Sequence, residues 1–292
     1  MYGQYSNGKK ILFSSEGHIF TPEKRDKLIE AGSHYLYIKE DNYQKMKQYR
    51  RDNLVTLLKN PNLTSEERAQ LLYESVNDQM YDMFEDGINE TAIASSKMHI
   101  KAMVAEMMSN RVHSEALLSL TAHDFATYSH SVNVSIYALA LGKELGLDEV
   151  EMVKLGSGAL LHDLGKSKIS PVIINKPGKL TLEEFKEIKQ HPDIGYEILK
   201  EMGETDEAVL DIVKHHHEKL DGSGYGLGLK GDLIKLEIQI VTVADIFDAL
   251  TTNRSYKVAT ANFTAFKTMK VIMKDQLDMK LVNKLIMLMG KK

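Results

Sequence analysis

An imidazole and a carboxylate stand side by side at the end of a strongly apolar stretch, in Leu160-Leu161-His162-Asp163-Leu164-Gly165-Lys166. Burying His162 and Asp163 there is costly unless a metal ion or a counter-charge satisfies both side chains. The chain must therefore fold so that such a partner reaches the end of this segment. A metal ion held by further ligands from other helices meets this requirement directly.

The composition restricts the kind of metal site. The chain has 292 residues and no Cys, which excludes disulfides, thiolate zinc sites, iron–sulfur clusters and Cys nucleophiles. Its 37 Lys and Arg against 41 Asp and Glu give a formal charge of -4, without the basic field of a nucleic-acid-binding protein. We expect a cytoplasmic protein, because there is no signal-peptide pattern and no apolar run of membrane-spanning length.

Hydrophobic spacing predicts a mainly α chain with a small α/β module at its N-terminus. Residues 1–50 combine short apolar runs with a helix starting at Thr21-Pro22 and a strand over 34–38. Residues 51–108 predict connecting helices. Residues 109–292 predict a run of amphipathic helices.

Several predicted helices have recognisable ends. Capping boxes at Thr64-x-x-Glu67 and Thr181-x-x-Glu184 predict helix starts, and Gly146 is expected to end a long helical pattern. A glycine-rich loop, 220–228, can place its backbone close to a ligand. The predicted helical stretches in the third region are 117–145, 150–164, 207–217 and 236–251.

Further metal-ligating side chains lie in the flanking segments, and they are His130, His191, His216, His217 and Asp245. Together with His162 and Asp163 they exceed the ligand set of one tetrahedral zinc ion and fit a dinuclear site of octahedral Fe or Mn. Two cations about 3.5–4 Å apart lower the pKa of a bridging water and bind phosphate oxygens. The chemistry suited to this set is hydrolysis at phosphorus.

These residues also have purely structural interpretations. The imidazoles of 215–217 would then interact with the terminal carbonyls of a helix, and Asp245 would accept hydrogen bonds from backbone donors. Five other histidines are left unassigned, namely His18, His34, His99, His113 and His123.

The chain from about Ser109 to Lys292 resembles the HD-GYP domain, a branch of the HD phosphohydrolase superfamily. The resemblance rests on five motifs in the family's order: His162-Asp163-x-Gly-Lys166, His191-Pro192, His216-His217-Glu218, Asp221-Gly222-Ser223-Gly224-Tyr225, and Val243-Ala244-Asp245-x-x-Asp248-Ala249-Leu250-Thr251-x-x-Arg254-x-Tyr256-Lys257. It implies a metal-dependent domain of five to seven helices. Such domains hydrolyse the bacterial second messenger cyclic di-GMP to pGpG and in some members to GMP.

The resemblance also implies roles for individual residues, with two divalent cations, Fe or Mn, as cofactors. The implied ligands are His130, His162, Asp163 and Asp245 for one cation and His191, His216 and His217 for the second, with Asp163 bridging. The implied catalytic residues are Asp163 and Lys166. The implied substrate-binding residues are Lys166, Tyr225, Asp248, Arg254 and Lys257.

The sequence departs from the family pattern at two places. Gly226 replaces the Pro of the Gly-Tyr-Pro signature, so the loop lacks the ring that would stiffen it. Family members with three metals carry a Glu one helical turn before the first ligand His, where this chain has Ala126. We therefore expect two metals. A third metal would require a shifted helix that brings Asp124 into the place of this Glu.

The leading hypothesis is a cyclic di-GMP phosphodiesterase. The alternatives are a catalytically weak cyclic di-GMP receptor and a phosphohydrolase of another nucleotide, including hybrid cyclic GMP-AMP. We expect no nucleic-acid partner and no membrane partner. The N-terminal module is expected to be regulatory, through a homodimer or a signalling partner.

Overall fold

A computed structural model describes residues 2–4, 10–12, 21–30, 36–37, 39, 42–121, 127–252 and 259–290. The mainly helical class is confirmed, and the chain divides into two compact units, residues 1–57 and 58–292. The strands are β1 (Tyr2–Gln4), β2 (Lys10–Leu12) and β3 (Leu36–Tyr37). The helices are α1 (Pro22–Glu30), α2 (Tyr43–Leu58), α3 (Ser65–Glu85), α4 (Glu90–Ser109), α5 (Arg111–Leu120), α6 (Thr127–Leu145), α7 (Glu149–Leu161), α8 (Pro171–Ile174), α9 (Leu182–Ile188), α10 (His191–Glu201), α11 (Glu207–His215), α12 (Leu236–Thr251), α13 (Asn262–Val271) and α14 (Met279–Met289).

In the first unit, three short strands form an antiparallel sheet in the order β2-β1-β3. Tyr2 of β1 faces Leu12 of β2 and Tyr37 of β3. Helix α1 begins at Pro22, where the sequence predicts a helix start. A separate α/β module over residues 1–50 stays a prediction.

In the second unit, local sequence signals set several helix ends. The capping boxes at Thr64 and Thr181 are confirmed, since each hydroxyl accepts from the N3 backbone and each N3 Glu accepts from the cap. Helix α12 has the predicted bounds. Helix α7 ends at Leu161, three residues before the predicted end, because a 3₁₀ helix occupies Leu164–Lys168.

One predicted helix is two. The pattern over 117–145 was expected to be continuous, but α5 ends at Leu120 with Thr121 as its C-cap, and α6 begins at Thr127. The Thr121 hydroxyl donates to the Leu118 carbonyl at 2.9 Å, and the Asn133 amide donates to the Thr121 carbonyl at 3.3 Å. These side-chain bonds satisfy polar groups at the helix end.

Helix α6 is the centre of the second unit. Every residue from 129 to 142 is buried, and α6 packs against α3, α7 and α12. Helix α7 in turn packs against α4 and α11. Helices α3 and α4 bury apolar faces here, with Val76 and Met103 fully enclosed, and both lie in the second unit. A connecting role for the helices of 51–108 stays a prediction. No helix in the described part of the chain is long and apolar enough to cross a bilayer.

Candidate metal centre

The structure brings all seven predicted metal ligands together, although 115 residues separate the first from the last. They come from α6, α10 and α12 and from the ends of α7 and α11. They form two groups, in each of which ligand atoms lie within 4.8 Å of one another. The groups are His130, His162 and Asp245, and Asp163, His191, His216 and His217.

Three of the imidazoles are oriented by helix ends. The last carbonyls of a helix have no partner within the helix, and here each accepts from the Nδ1 of a histidine three residues later. The pairs are His162 with Ala159 at 2.7 Å, His191 with Ile188 at 2.7 Å, and His216 with Val213 at 2.9 Å. Because a carbonyl can only accept, Nδ1 donates in each pair, and Nε2 is the ring nitrogen left to face a cation.

The site holds buried nitrogen atoms with no hydrogen-bond partner in the described structure. They are Nε2 of His130, Nε2 of His162 and Nε2 of His217. Burial also holds the pKa of His162, His216 and His217 below the usual range, so these rings are neutral. Neutral imidazoles with unsatisfied nitrogens fit divalent cations, because a cation would supply the missing partner.

Asp163 lies between the two groups. Its Oδ1 is 3.2 Å from His191 Nε2, and its Oδ2 is 3.5 Å from His162 Nε2 and 3.6 Å from His130 Nε2. Burial alone would raise its pKa, but Lys166, which also donates to Oδ2, and the imidazoles lower the pKa well below the usual range. The side chain is therefore a carboxylate with one oxygen facing each group, as a bridging ligand requires.

His130 is held between carboxylates on opposite ring nitrogens. Its Nε2 is 3.1 Å from Asp245 Oδ1, and its Nδ1 is 2.6 Å from Asp248 Oδ2. Burial lowers the pKa of His130, but the bonds to Asp245 and Asp248 outweigh it and raise the pKa to about 9. Without a cation, these carboxylates draw a proton onto the ring, and this proton occupies the side where a cation would bind.

Asp248 is held inside the protein. Its side chain is fully buried, and it bonds to His130 at 2.6 Å and to the Asn133 amide at 3.0 Å. These bonds are those of a residue that orients a metal-ligand candidate, and the predicted contact of Asp248 with substrate stays a prediction. Sequence reasoning missed Asn133, although an amide three residues after His130 in an apolar helix requires buried partners and was a usable signal.

A pocket of about 560 Å³ opens beside the metal centre. Lys166, Tyr225 and His217 line it, together with apolar side chains from 173–188. The Tyr225 ring stacks on His217, with centroids 4.4 Å apart and planes 28° apart. Lys166 and Tyr225, which the family resemblance implies as substrate-binding residues, thus lie beside the ligand candidates. Arg254, Lys257, Asp124, Ala126, His18, His34 and His123 lie outside the described residues.

Sequence reasoning also missed the far wall of the pocket. The Phe185 ring lies edge-on to Tyr225 at 6.4 Å, and the Lys189 ammonium is 4.7 Å from the Phe185 centroid and 5.3 Å from the Tyr225 centroid. No sequence signal marked Phe185, because its spacing in α9 is that of an ordinary amphipathic helix. The wall gives the pocket an aromatic pair capped by a cation.

Glu218 organises the glycine-rich loop. Its buried carboxylate accepts from three backbone amides, those of Leu227 at 2.6 Å, Gly228 at 3.0 Å and Leu229 at 3.0 Å. Gly226 has φ +127°, a conformation that the fixed φ of Pro excludes. Glycine at this position and the Glu218 anchor together define the loop that carries Tyr225.

Three described histidines lie outside the two ligand groups and contact other polar groups of the protein. His215 precedes the two ligand candidates of the same run, and its Nδ1 lies 4.0 Å from Glu218, away from both groups. His99 Nδ1 bonds to the Ser95 carbonyl at 2.8 Å, and His113 pairs with Glu106 at 2.8 Å. The run at 215–217 thus divides into one structural residue and two ligand candidates.

Comparison with known proteins matches the sequence of this chain to one family. A model of the HD domain family matches residues 88–281. A cyclic di-GMP phosphodiesterase of Pseudomonas aeruginosa is 37% identical over 193 residues, 65% of this chain and 46% of that protein. One of Thermotoga maritima is 31% identical, over 79% of this chain and 58% of that protein.

A further relative differs in its named substrate. A 3'3'-cGAMP-specific phosphodiesterase of Vibrio cholerae is 33% identical over 60% of this chain and 39% of that protein. The chain thus matches between about two fifths and three fifths of the length of these curated relatives.

A solved structure shares the fold across nearly the whole chain. It is described as an HDG"Y"P protein from Bdellovibrio bacteriovorus, with a TM-score of 0.73 and 24% identity. The likeness covers 99% of this chain and 94% of that one.

Proposed function

Because the chain belongs to the HD domain family, we propose that it is a metal-dependent phosphodiesterase that hydrolyses cyclic di-GMP, with pGpG or GMP as the final product. One observation carries the proposal: two groups of ligand candidates, all buried except the half-buried His217, meet at a single carboxylate, Asp163, beside an open pocket. Relatives named as phosphodiesterases of cyclic dinucleotides support the substrate class.

The proposed ligands form two sets that share Asp163. His130, His162 and Asp245 would hold one cation, and His191, His216 and His217 the other. Fe and Mn suit imidazole and carboxylate ligands without sulfur. When bound, the pair supplies an activated water and neutralises charge on the phosphate oxygens.

The chain's own side chains act around this centre. Lys166 places an ammonium at the pocket floor, where negative charge develops as a P–O bond breaks and water adds to phosphorus. Tyr225 and Phe185 offer ring faces and edges to a base. Asp248 holds the Nδ1 proton of His130, so that Nε2 stays directed at the site.

The test is product formation by the purified chain loaded with Mn²⁺ or Fe²⁺ under anaerobic conditions. We expect release of pGpG or GMP from cyclic di-GMP, abolished in Asp163→Ala and in His216→Ala. His215→Ala is the matched control, since it removes an adjacent imidazole from outside the two groups. Full turnover in Asp163→Ala would refute the site.

Two other functions are separated by the same assay. Preferential cleavage of 3'3'-cGAMP would assign the substrate named for the Vibrio cholerae relative. Tight binding of cyclic di-GMP without product would indicate a receptor that uses the altered glycine-rich loop to bind nucleotide.

For residues 1–50 we propose a regulatory role, through a homodimer or a signalling partner. Light scattering of the full chain with and without cyclic di-GMP tests the homodimer. A monomer under both conditions would leave a separate signalling protein as the proposed partner.

A further inference from the structure

A line of hydrogen bonds connects α3 to the metal centre through α6 and α12. The Tyr73 hydroxyl donates to Asn133 Oδ1 at 3.0 Å, and Asn133 Nδ2 donates to Asp248 Oδ1 at 3.0 Å. Asp248 Oδ2 then accepts from His130 Nδ1 at 2.6 Å. We infer that Asn133 and Tyr73 are positioning residues for the metal site, so that α3 helps to set its affinity for cations.

The acceptors along this line fix the direction of each bond. The Asp248 carboxylate and the Thr121 carbonyl can only accept, and Asn133 Nδ2 lies within bonding distance of both. The amide nitrogen therefore faces them, and Oδ1 faces the Tyr73 hydroxyl, which must donate. With one oxygen of Asp248 engaged by Asn133, the other is left to accept from His130.

Burial makes these bonds consequential. Asn133 and Asp248 are fully buried and His130 is 2% exposed, so water cannot replace a missing partner. Loss of the amide would leave Asp248 Oδ1 without its donor and free the carboxylate to rotate. The His130 ring would then lose its fixed orientation, because Nδ1 is held by Asp248.

The placement of α3 adds to this inference. The sequence predicts α3 as part of a connector, but it packs on α5 and α6 within the second unit. Tyr73 stands 60 residues before Asn133 in the chain, so the contact exists only when α3 is docked on α6. A displacement of α3 would therefore reach His130 through two side chains.

The inference rests on the proposed metal site, and its test measures binding in place of turnover. Metal-free protein is titrated with Mn²⁺ by calorimetry. We expect Asn133→Ala to weaken Mn²⁺ binding about tenfold, the low end for residues that orient metal ligands. Tyr73→Phe, which removes one hydroxyl, should weaken it about threefold. Tyr81→Phe removes a hydroxyl from the more exposed side of α3 and should bind like the wild type.

A double-mutant cycle separates positioning from packing. If Asn133 acts through Asp248, adding Asn133→Ala to Asp248→Asn should change the Mn²⁺ dissociation constant less than twofold. Lower melting temperatures of the metal-free variants with an unchanged dissociation constant would show a structural role only and overturn the inference. If Asn133→Ala does not fold, Tyr73→Phe decides by the same criterion.

The two proposals fail in different ways. A wild-type chain that binds neither Mn²⁺ nor Fe²⁺ would overturn the proposed function and this inference with it. A wild-type chain that binds Mn²⁺ as tightly as the folded Asn133→Ala and Tyr73→Phe variants would overturn the inference alone.

Discussion

The hydrogen bonds of Glu218 to the glycine-rich loop require a residue without a side chain at position 226. The backbone at Gly226 has φ +127°, and a Cβ there would lie 2.8 Å from Glu218 Oε1. The same Glu218 oxygen accepts from the amides of residues 227 and 228. A side chain at 226 would thus push on the group that folds the loop over His217.

Gly226→Pro is expected to displace Tyr225 and leave the ligands in place, because φ near −65° cannot support the present loop. We expect KM for cyclic di-GMP to rise about tenfold, equivalent to about 1.4 kcal/mol, with kcat and metal content near those of the wild type. Steady-state kinetics and elemental analysis measure both. Leu227→Ala is the control, because the Leu227 side chain is exposed and the substitution keeps the hydrogen bond from its backbone amide to Glu218. Unchanged KM in Gly226→Pro would show that the loop does not position substrate.

Glu218→Gln is expected to lower the free energy of unfolding by about 1.5–3 kcal/mol, because a charged acceptor of three amides is replaced by a neutral one. Urea unfolding measures the change. Glu183→Gln alters an exposed carboxylate and should have no measurable effect. Equal stability of the two variants would contradict the anchoring role of Glu218.

Among the helices, the contact between the 3₁₀ helix Leu164–Lys168 and α10 brings His191 to Asp163, the carboxylate that lies between the two ligand groups. A Cβ at Gly165 would overlap the His191 carbonyl oxygen and lie 2.6 Å from the Gly195 amide nitrogen. Only glycine lets these backbones approach so closely. This approach places His191 beside Asp163 and explains why the motif that contains His162 and Asp163 has a glycine at position 165.

Gly165→Ala should therefore separate α10 from the end of α7 and destabilise the fold by about 3 kcal/mol or more, the upper range for overpacking. It should also weaken binding of Mn²⁺. Gly195→Ala is the graded comparison, because its Cβ would meet Val213 Cγ1 at 3.1 Å and the Gly165 amide nitrogen at 3.2 Å, contacts that are tight but do not overlap as those at Gly165 do. Thermal unfolding and calorimetry measure both variants. A Gly165→Ala protein as stable as Gly195→Ala would disprove this account.

Sequence reasoning succeeded where the signal was local. The bounds of α12 and the capping boxes at Thr64 and Thr181 depend on residues within a few positions of each other. The ligand candidates were found because a carboxylate or imidazole in an apolar segment requires a partner. Recognition of the family's motifs supplied their grouping.

The failures concern pairs that are distant in sequence. The motif around Asp248 does not reveal that His130 and Asn133, 118 and 115 residues earlier, bond to its two oxygens. The docking of α3 on α6 was missed for the same reason. The Gly226 departure was visible in the sequence, but its φ and its contact with Glu218 required the structure.

Across the whole molecule, the candidate metal centre gathers side chains from helices that are far apart in the chain, and bound cations would cross-link these helices. Ligand candidates come from five helical segments, and the buried carboxylates Asp163 and Asp245 are compensated by Lys166 and by the proton on His130. Bound cations would satisfy the carboxylates and the unpaired imidazole nitrogens together. Stability and metal binding should therefore be strongly linked.

We expect Mn²⁺ to stabilise the full chain against urea by about 2.7 kcal/mol for each site at a free concentration of 100 times its Kd. The gain should disappear with a chelator and should be smaller in His216→Ala, which loses one ligand, but not in His215→Ala. Mg²⁺ at the same concentration should stabilise less, because it prefers oxygen ligands to imidazole. Equal unfolding midpoints with Mn²⁺ and with chelator would mean that the seven side chains hold no cation, because any ion bound only by the folded chain must raise its stability.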